Sequence, residues 1–202
     1  MTQDRLGCQI RFILEIDKLK GVLRQSYLVG VDRRENSAEH SWHVAVLAVV
    51  LAEHANQSVD VGRVVRMLLL HDVVEVDAGD TYVYDAAATA ERAEREARAA
   101  DRLFGILPDD QGRELRDLWD EFEAGSSSEA RFAAALDRLM PVLHNCSTSG
   151  RSWREHGISA DRVIGRNESI RGGSEALWTY ALACIRDAVA RGDLAPAPGA
   201  SG

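Results

Sequence analysis

Met67-Leu68-Leu69-Leu70-His71-Asp72-Val73-Val74-Glu75 is the stretch that decides how this chain is read. Apolar residues spaced for a helix run directly into an imidazole and a carboxylate, with no glycine or polar cluster between them. On a helix, His71 shares its face with Met67 and Val64 behind it and with Glu75 ahead, while Asp72 continues Leu68 and Val65. Two groups that prefer water are therefore aimed at the core. An isolated buried carboxylate is strongly destabilising unless it is neutralised or paired.

The same anomaly recurs twice. His40 heads a stripe of Val44, Leu47 and Leu51, and Asp137 lies between Ala133 and Met140. A single histidine on an apolar face is ordinarily a satisfied core residue, and a lone His-Asp pair arises easily by chance. Two imidazoles and two carboxylates displaced in the same way point to a shared divalent cation. A shell of His40, His71, Asp72 and Asp137 suits Mn, Co, Fe, Ni or Zn, with Mg also possible, and residue types do not choose among them.

Helical periodicity extends outward from this stretch in both directions, and strand alternation is almost absent. Helices are predicted over residues 6–19, from Asn36 to about Ala55, from Asp60 to near Val76, over 89–104, from Pro108 to Phe122, over 129–146, over 160–166 and over 174–190. Asn36 with Glu39 forms a capping-box pattern, and Gly79 is a plausible terminator. Residues 21–36, 77–88 and 147–157 read as irregular. Pro141 predicts either a kink beside Asp137, whose carbonyl its ring opposes, or a helix end. The architecture expected is all-α: one helical-bundle domain over 1–192, with its motifs in 19–145, and a disordered tail over 193–202 rich in Ala, Pro and Gly.

With 202 residues, 46% of them hydrophobic, the chain can bury a single core. A net charge of −8 argues against a nucleic-acid partner, which calls for a basic face. Cys8, Cys146 and Cys184 are odd in number and lack metal-site spacing, which suggests a reducing compartment. The longest apolar run, Val44 to Ala52, is too short to span a bilayer, and the start of the chain has no signal-peptide pattern. A soluble cytoplasmic protein with no membrane partner is the expectation.

Taken in order, Leu19-Lys20-(x)₃-Arg24, Arg34-Glu35-Asn36-Ser37-Ala38-Glu39-His40-Ser41, Leu70-His71-Asp72-Val73-Val74-Glu75, Gly79-Asp80 and Leu136-Asp137-Arg138-Leu139 resemble the HD-domain metal-dependent phosphohydrolases. Within them the pattern is most similar to the bacterial 5′-deoxynucleotidases and the HD-domain-containing protein 2 group. The resemblance covers about residues 6–145 and is looser beyond. It implies one divalent metal on His40, His71, Asp72 and Asp137, and Glu75 orienting or deprotonating a metal-bound water. It also implies Arg24 on the substrate phosphate, Asp80 with Thr81 and Tyr82 on the nucleotide, and a homodimer. One position departs. The bacterial enzymes carry an aromatic residue directly after the phosphate-binding arginine, where this chain has Gln25, which puts deoxyribose selectivity in question.

The chemistry agrees with that resemblance. Phosphate monoesters hydrolyse extremely slowly unaided, and a divalent ion supplies both an acidified water and a Lewis acid. Arginine matches phosphate oxygens with its planar fork. Three readings stay open: a nucleoside 5′-monophosphatase, a hydrolase of nucleoside triphosphates or oligophosphates, and an idle nucleotide-binding module. Several basic residues in the pocket beyond Arg24 would favour the second. His43, one turn after His40, is read as packing, and Trp42, Trp119, Trp153 and Trp178 as core or interface.

Overall fold

In a computed structural model, residues 4–80 and 89–199 are described. The elements that carry the site run in chain order as α1 (Arg5–Ile16), β1 (Leu23–Tyr27), β2 (Arg34–Asn36), α2 (Ser37–Leu51), α3 (Val61–Leu70), α4 (Glu75–Ala78), α5 (Thr89–Phe104), α6 (Asp109–Ala124) and α7 (Ser128–Ser147). Four more helices follow: α8 (Arg151–Glu155), α9 (Ala160–Asn167), α10 (Ile170–Gly173) and α11 (Glu175–Ala190). Among the described residues the fold is all-α apart from one two-stranded antiparallel ribbon, β1 with β2.

Helix α7 is the axis. Its buried Phe132, Leu136 and Leu139 meet Val44 and Ala48 of α2, Val64 and Leu68 of α3, and Trp178, Ala181 and Ile185 of α11. Helix α10 can lie against it because Gly173 has no side chain; a Cβ there would stand 2.3 Å from the Arg131 carbonyl. A second apolar cluster joins Phe12, Val73, Val74, Leu103, Phe104 and Trp119. The His71-Asp72 pair sits in the chain between Leu68 of the first cluster and Val73 of the second, so the site occupies the seam.

Several predicted boundaries hold. The Asn36 side chain accepts from the Glu39 amide at 2.9 Å, and Glu39 reaches back to the Asn36 amide at 3.3 Å, which completes the capping box. Asp60 caps α3 through the Arg63 amide. Helix α7 continues through Pro141 to Ser147, so the proline does not end it.

Other expectations are corrected. Residues 21–36 hold the β1–β2 ribbon rather than only irregular chain; its buried residues are Ser26 and Glu35, so no hydrophobic alternation marks it. The helix expected to run to Val76 stops at Leu70. The His71 carbonyl accepts from the Trp119 indole at 3.1 Å, and the Glu75 amide turns instead to the Asp72 carbonyl at 2.9 Å. That tight turn lets Val73 and Val74 swing into the second cluster. Residues 151–155 form the short helix α8. The tail assigned from 193 begins with a docked stretch: Leu194 is buried, and the Ala195 carbonyl accepts from the Ala160 amide at 2.9 Å.

Candidate metal centre and cleft

Five elements and two turns deliver the site. Arg24 comes from β1, Glu35 from β2, His40 from α2, and His71 and Asp72 from the turn after α3. Glu75 opens α4, Asp80 follows Gly79, and Asp137 comes from α7. Gly79 has φ 72°, a left-handed conformation costly for residues with side chains, and it turns the chain so that Asp80 faces back into the cleft.

All four predicted ligands converge. One atom each from His40, His71 and Asp72 lies within 4.8 Å of the others. Asp137 Oδ1 stands 2.9 Å from His40 Nε2 and 3.6 Å from His71 Nε2. Each imidazole is held from behind: His71 Nδ1 donates to the Leu68 carbonyl at 2.7 Å, and His40 Nδ1 donates to Glu35 Oε2 at 3.2 Å. With those protons on Nδ1, both Nε2 atoms face inward, where a bound cation would take their lone pairs in place of a proton. His71 Nε2 is buried and lacks a hydrogen-bond partner; Asp72 Oδ1 is 3.1 Å away but not in hydrogen-bond geometry. An orphaned ring nitrogen beside two carboxylates fits a metal ion, and the N₂O₂ donor set suits a borderline divalent one.

Arg24 lies among these carboxylates with its side chain only 12% exposed. Its guanidinium donates to Asp72 Oδ2 at 2.6 Å and stands 3.9 Å from both Glu75 Oε1 and Asp137 Oδ1. Burial opposes its charge, but Asp72, Glu75, Asp137 and Asp80 outweigh that and hold its pKa above the ordinary arginine value. The same field divides the carboxylates. Burial and the neighbouring Asp72 raise Glu75 well above the usual range, and burial raises Asp80. Burial also works against the Asp137 charge, yet the contacts from His40 and His71 pull its pKa well below the usual range. His71, which burial alone would lower, is pushed up to about 9 by Asp72 and Asp137. Carboxylates forced apart in this way suit different tasks: an anion that binds a cation, and one that takes up a proton more readily than an ordinary carboxylate. Ser37 Oγ donates to Glu75 Oε2 at 2.5 Å and fixes its orientation.

Above the centre a cleft opens. Its inner wall is Arg24, Asp72, Glu75, Asp80 and Asp137; its outer wall is Arg92, Arg138, Asn145, Ser152, Trp153, Arg166 and Asn167. Gln25 lines it too, with Oε1 3.2 Å from His156 Nε2. Thr81 and Tyr82 lie outside the described residues. The sequence reading did not single out Glu35 for a role; it is 1% exposed and supports His40. It sits in the polar run Asp32 to Asn36, where nothing distinguishes a buried residue from its exposed neighbours. The part of the outer wall formed by Ser152, Trp153, Arg166 and Asn167 was also missed, because α8 and α9 lie where the resemblance fades. Of the four tryptophans read as core or interface, Trp119, Trp153 and Trp178 are buried, while Trp42 is 63% exposed.

Comparison with known proteins bears on this arrangement. A family described as HD domain matches residues 16–178. The 5′-deoxynucleotidase HDDC2 of Bos taurus is 35% identical over 136 residues, which are 66% of this chain and 64% of that protein. Its Homo sapiens counterpart is 33% identical over 135 residues, 66% of this chain and 65% of that protein. The chain thus spans just under two thirds of these relatives' length. A solved structure described as a predicted metal-dependent phosphohydrolase from Magnetospirillum magnetotacticum MS-1 is 52% identical, with TM-score 0.87, covering 95% of this chain and 96% of that one. The family match takes in Arg24, His40, His71, Asp72, Glu75, Asp80 and Asp137 together, and the chain belongs to the HD domain family.

Proposed function

We propose that this protein is a metal-dependent phosphohydrolase that releases phosphate from nucleoside 5′-monophosphates. The observation that carries the reading is the convergence of His40, His71, Asp72 and Asp137 around inward-facing ring nitrogens, with Arg24 beside them. A divalent ion held by those four residues would supply Lewis acidity toward a phosphoryl oxygen and lower the pKa of a water. The relatives named 5′-deoxynucleotidase support a nucleotide as substrate.

The chain's own residues divide the remaining work. Arg24 binds the phosphoryl oxygens: its guanidinium already rests on Asp72, and an incoming phosphate offers stronger acceptors. Glu75 takes the proton of the attacking water. Burial and Asp72 raise its pKa well above that of a free carboxylate, which makes it a stronger base. Ser37 holds it in place, and Asp80 extends the acidic edge of the cleft. Among the described residues Arg24 is the arginine that contacts the metal-ligating carboxylates, which suits a single phosphate.

One observation favours a second reading. Arg92, Arg138 and Arg166 also line the cleft, the pattern expected for substrates with more than one phosphate. The deciding experiment is phosphate release from nucleoside mono-, di- and triphosphates, ribo and deoxy, with Mn, Co, Mg or Zn, beside Asp72→Ala. Release from monophosphates that disappears in the variant supports the proposal. Release only from the longer phosphates replaces it with the second reading.

A homodimer is part of the same proposal. Trp42, Val46, Val49 and Val50, spaced along one side of α2, are 63%, 39%, 63% and 63% exposed. An apolar stripe of that kind suits a partner surface. Sedimentation that shows only monomers at micromolar concentration would remove this part.

A further inference from the structure

Beside the first centre lies a second group of ligand-type side chains that the proposed mechanism does not use. Glu35, His43 and His144 each present one ligand atom within 4.8 Å of the others. The group follows from helical geometry. His43 is one turn beyond His40 on α2, and His144 is two turns beyond Asp137 on α7. Where α2 packs on α7, His40 meets Asp137 and His43 stands beside His144, their ring centroids 6.1 Å apart. Glu35 of β2 lies at both positions, with its Oε2 3.2 Å from His40 Nδ1 and 3.8 Å from His144 Nδ1.

We propose that Glu35, His43 and His144 form a second divalent-metal site, joined to the first through the Glu35 carboxylate. His144 is 2% exposed and Glu35 1%, and His144 Nδ1 is buried with no hydrogen-bond partner. A buried imidazole nitrogen without a partner is destabilising, and a metal ion is one of the few groups that satisfies it. Ligand atoms around a tetrahedral ion with bonds of about 2.0–2.1 Å lie roughly 3.4 Å apart. The 3.8 Å between Glu35 and His144 needs only a small closure. His43 is half-buried, which leaves a path from solvent and room for water as a further ligand. Two imidazoles and one carboxylate select a borderline ion such as Zn, Co or Ni over Ca or Mg. Arg24 Nε, 3.8 Å from Glu35 Oε2, and the Nδ1 proton of His40 share the carboxylate, so an ion here also alters how firmly His40 is held.

This site does not rest on the proposed reaction, and its test reads metal content. Full-length protein is stripped with chelator, reloaded with Zn or Co, and its bound metal is counted by mass spectrometry. The comparison covers wild type, His43→Gln, His144→Gln, Asp72→Ala and Asp72→Ala combined with His43→Gln. Each histidine variant is expected to lose one equivalent. The ion retained by Asp72→Ala should disappear when His43→Gln is added, and the Co absorption bands of the two ions should be lost separately. Equal loading of wild type and His43→Gln would overturn the proposal. So would an Asp72→Ala protein with no metal left for His43→Gln to remove, since the group would then only position His40. If His144→Gln does not fold, His43→Gln, changed at a half-buried position, decides alone.

Discussion

The two walls of the cleft are built on different principles. On the inner wall the polar groups answer one another. Arg24 is balanced by Asp72, Glu75 and Asp137, His40 is held between Glu35 and Asp137, and Glu75 rests on Ser37. On the outer wall the two asparagines are tied to nearby backbone instead, and Arg92 pairs with Glu96 one turn along its own helix. Asn167 donates to the Val163 carbonyl at 2.8 Å, Asn145 donates to the Pro141 carbonyl at 3.0 Å, and Asn145 Oδ1 accepts from the Trp153 amide at 3.2 Å. Removing one inner group leaves another charge buried and unpaired, which is strongly destabilising. An outer group can be changed with only local consequences. In the proposed function the inner wall would carry the chemistry, and the outer wall is where substrates would be distinguished.

The largest effect that tests this contrast is at the ligands. Asp72→Ala removes a proposed metal ligand and the partner of Arg24 together, and phosphate release should fall by about 1,000-fold or more with loss of the bound ion. An active variant would place the reaction elsewhere. Next comes Glu75→Gln, which keeps shape but cannot accept a proton. Its kcat should fall on the order of 100- to 10,000-fold while metal content stays unchanged. A drop in metal content would instead make Glu75 a ligand. Arg24→Lys keeps the charge but loses the fork, so kcat/KM should fall roughly tenfold to a hundredfold, mainly through KM for the phosphate.

A fourth test uses pH on metal-free protein. His71 has its pKa raised from an ordinary 6.5 to about 9 by Asp72 and Asp137. A raised pKa in the folded state contributes stability that is complete below the unfolded value and is lost as pH climbs through the folded one. Thermal melts of chelator-treated protein should therefore shift down between 6.5 and about 9, and His71→Gln should flatten that limb. A melting temperature that rises over this range would show that Asp72 and Asp137 do not hold the proton on His71.

The smallest effects belong to the outer wall. Arg138→Gln should leave monophosphate turnover within about threefold of wild type, since surface-type substitutions there disturb no buried pair. A larger loss with triphosphates would assign the outer arginines to further phosphates. Gln25→Trp should move the ribose to deoxyribose preference by about tenfold or less, the range open to a change in one pocket contact. No change at all would separate position 25 from sugar recognition.

The sequence alone determined the helical class, because amphipathic spacing is a local property. It also determined the Asn36–Glu39 cap and the four ligand candidates, because a histidine or aspartate inside an apolar stripe conflicts with its surroundings and is visible for that reason. Only tertiary structure decided the rest. The break after Leu70 depends on the Trp119 indole taking the His71 carbonyl, a contact across 48 residues. The β1–β2 ribbon buries Ser26 and Glu35, which read as surface residues. His43 reads as packing because it borders the apolar face of its helix, while His144, whose ring lies 6.1 Å from it, is 101 positions away in sequence. Ser152, Trp153, Arg166 and Asn167 reach the outer wall only because α8 and α9 fold back to the cleft. Each of these rests on a pairing between distant segments, and such pairings leave no periodicity in the chain, because the free energy that favours them arises only when both surfaces are present.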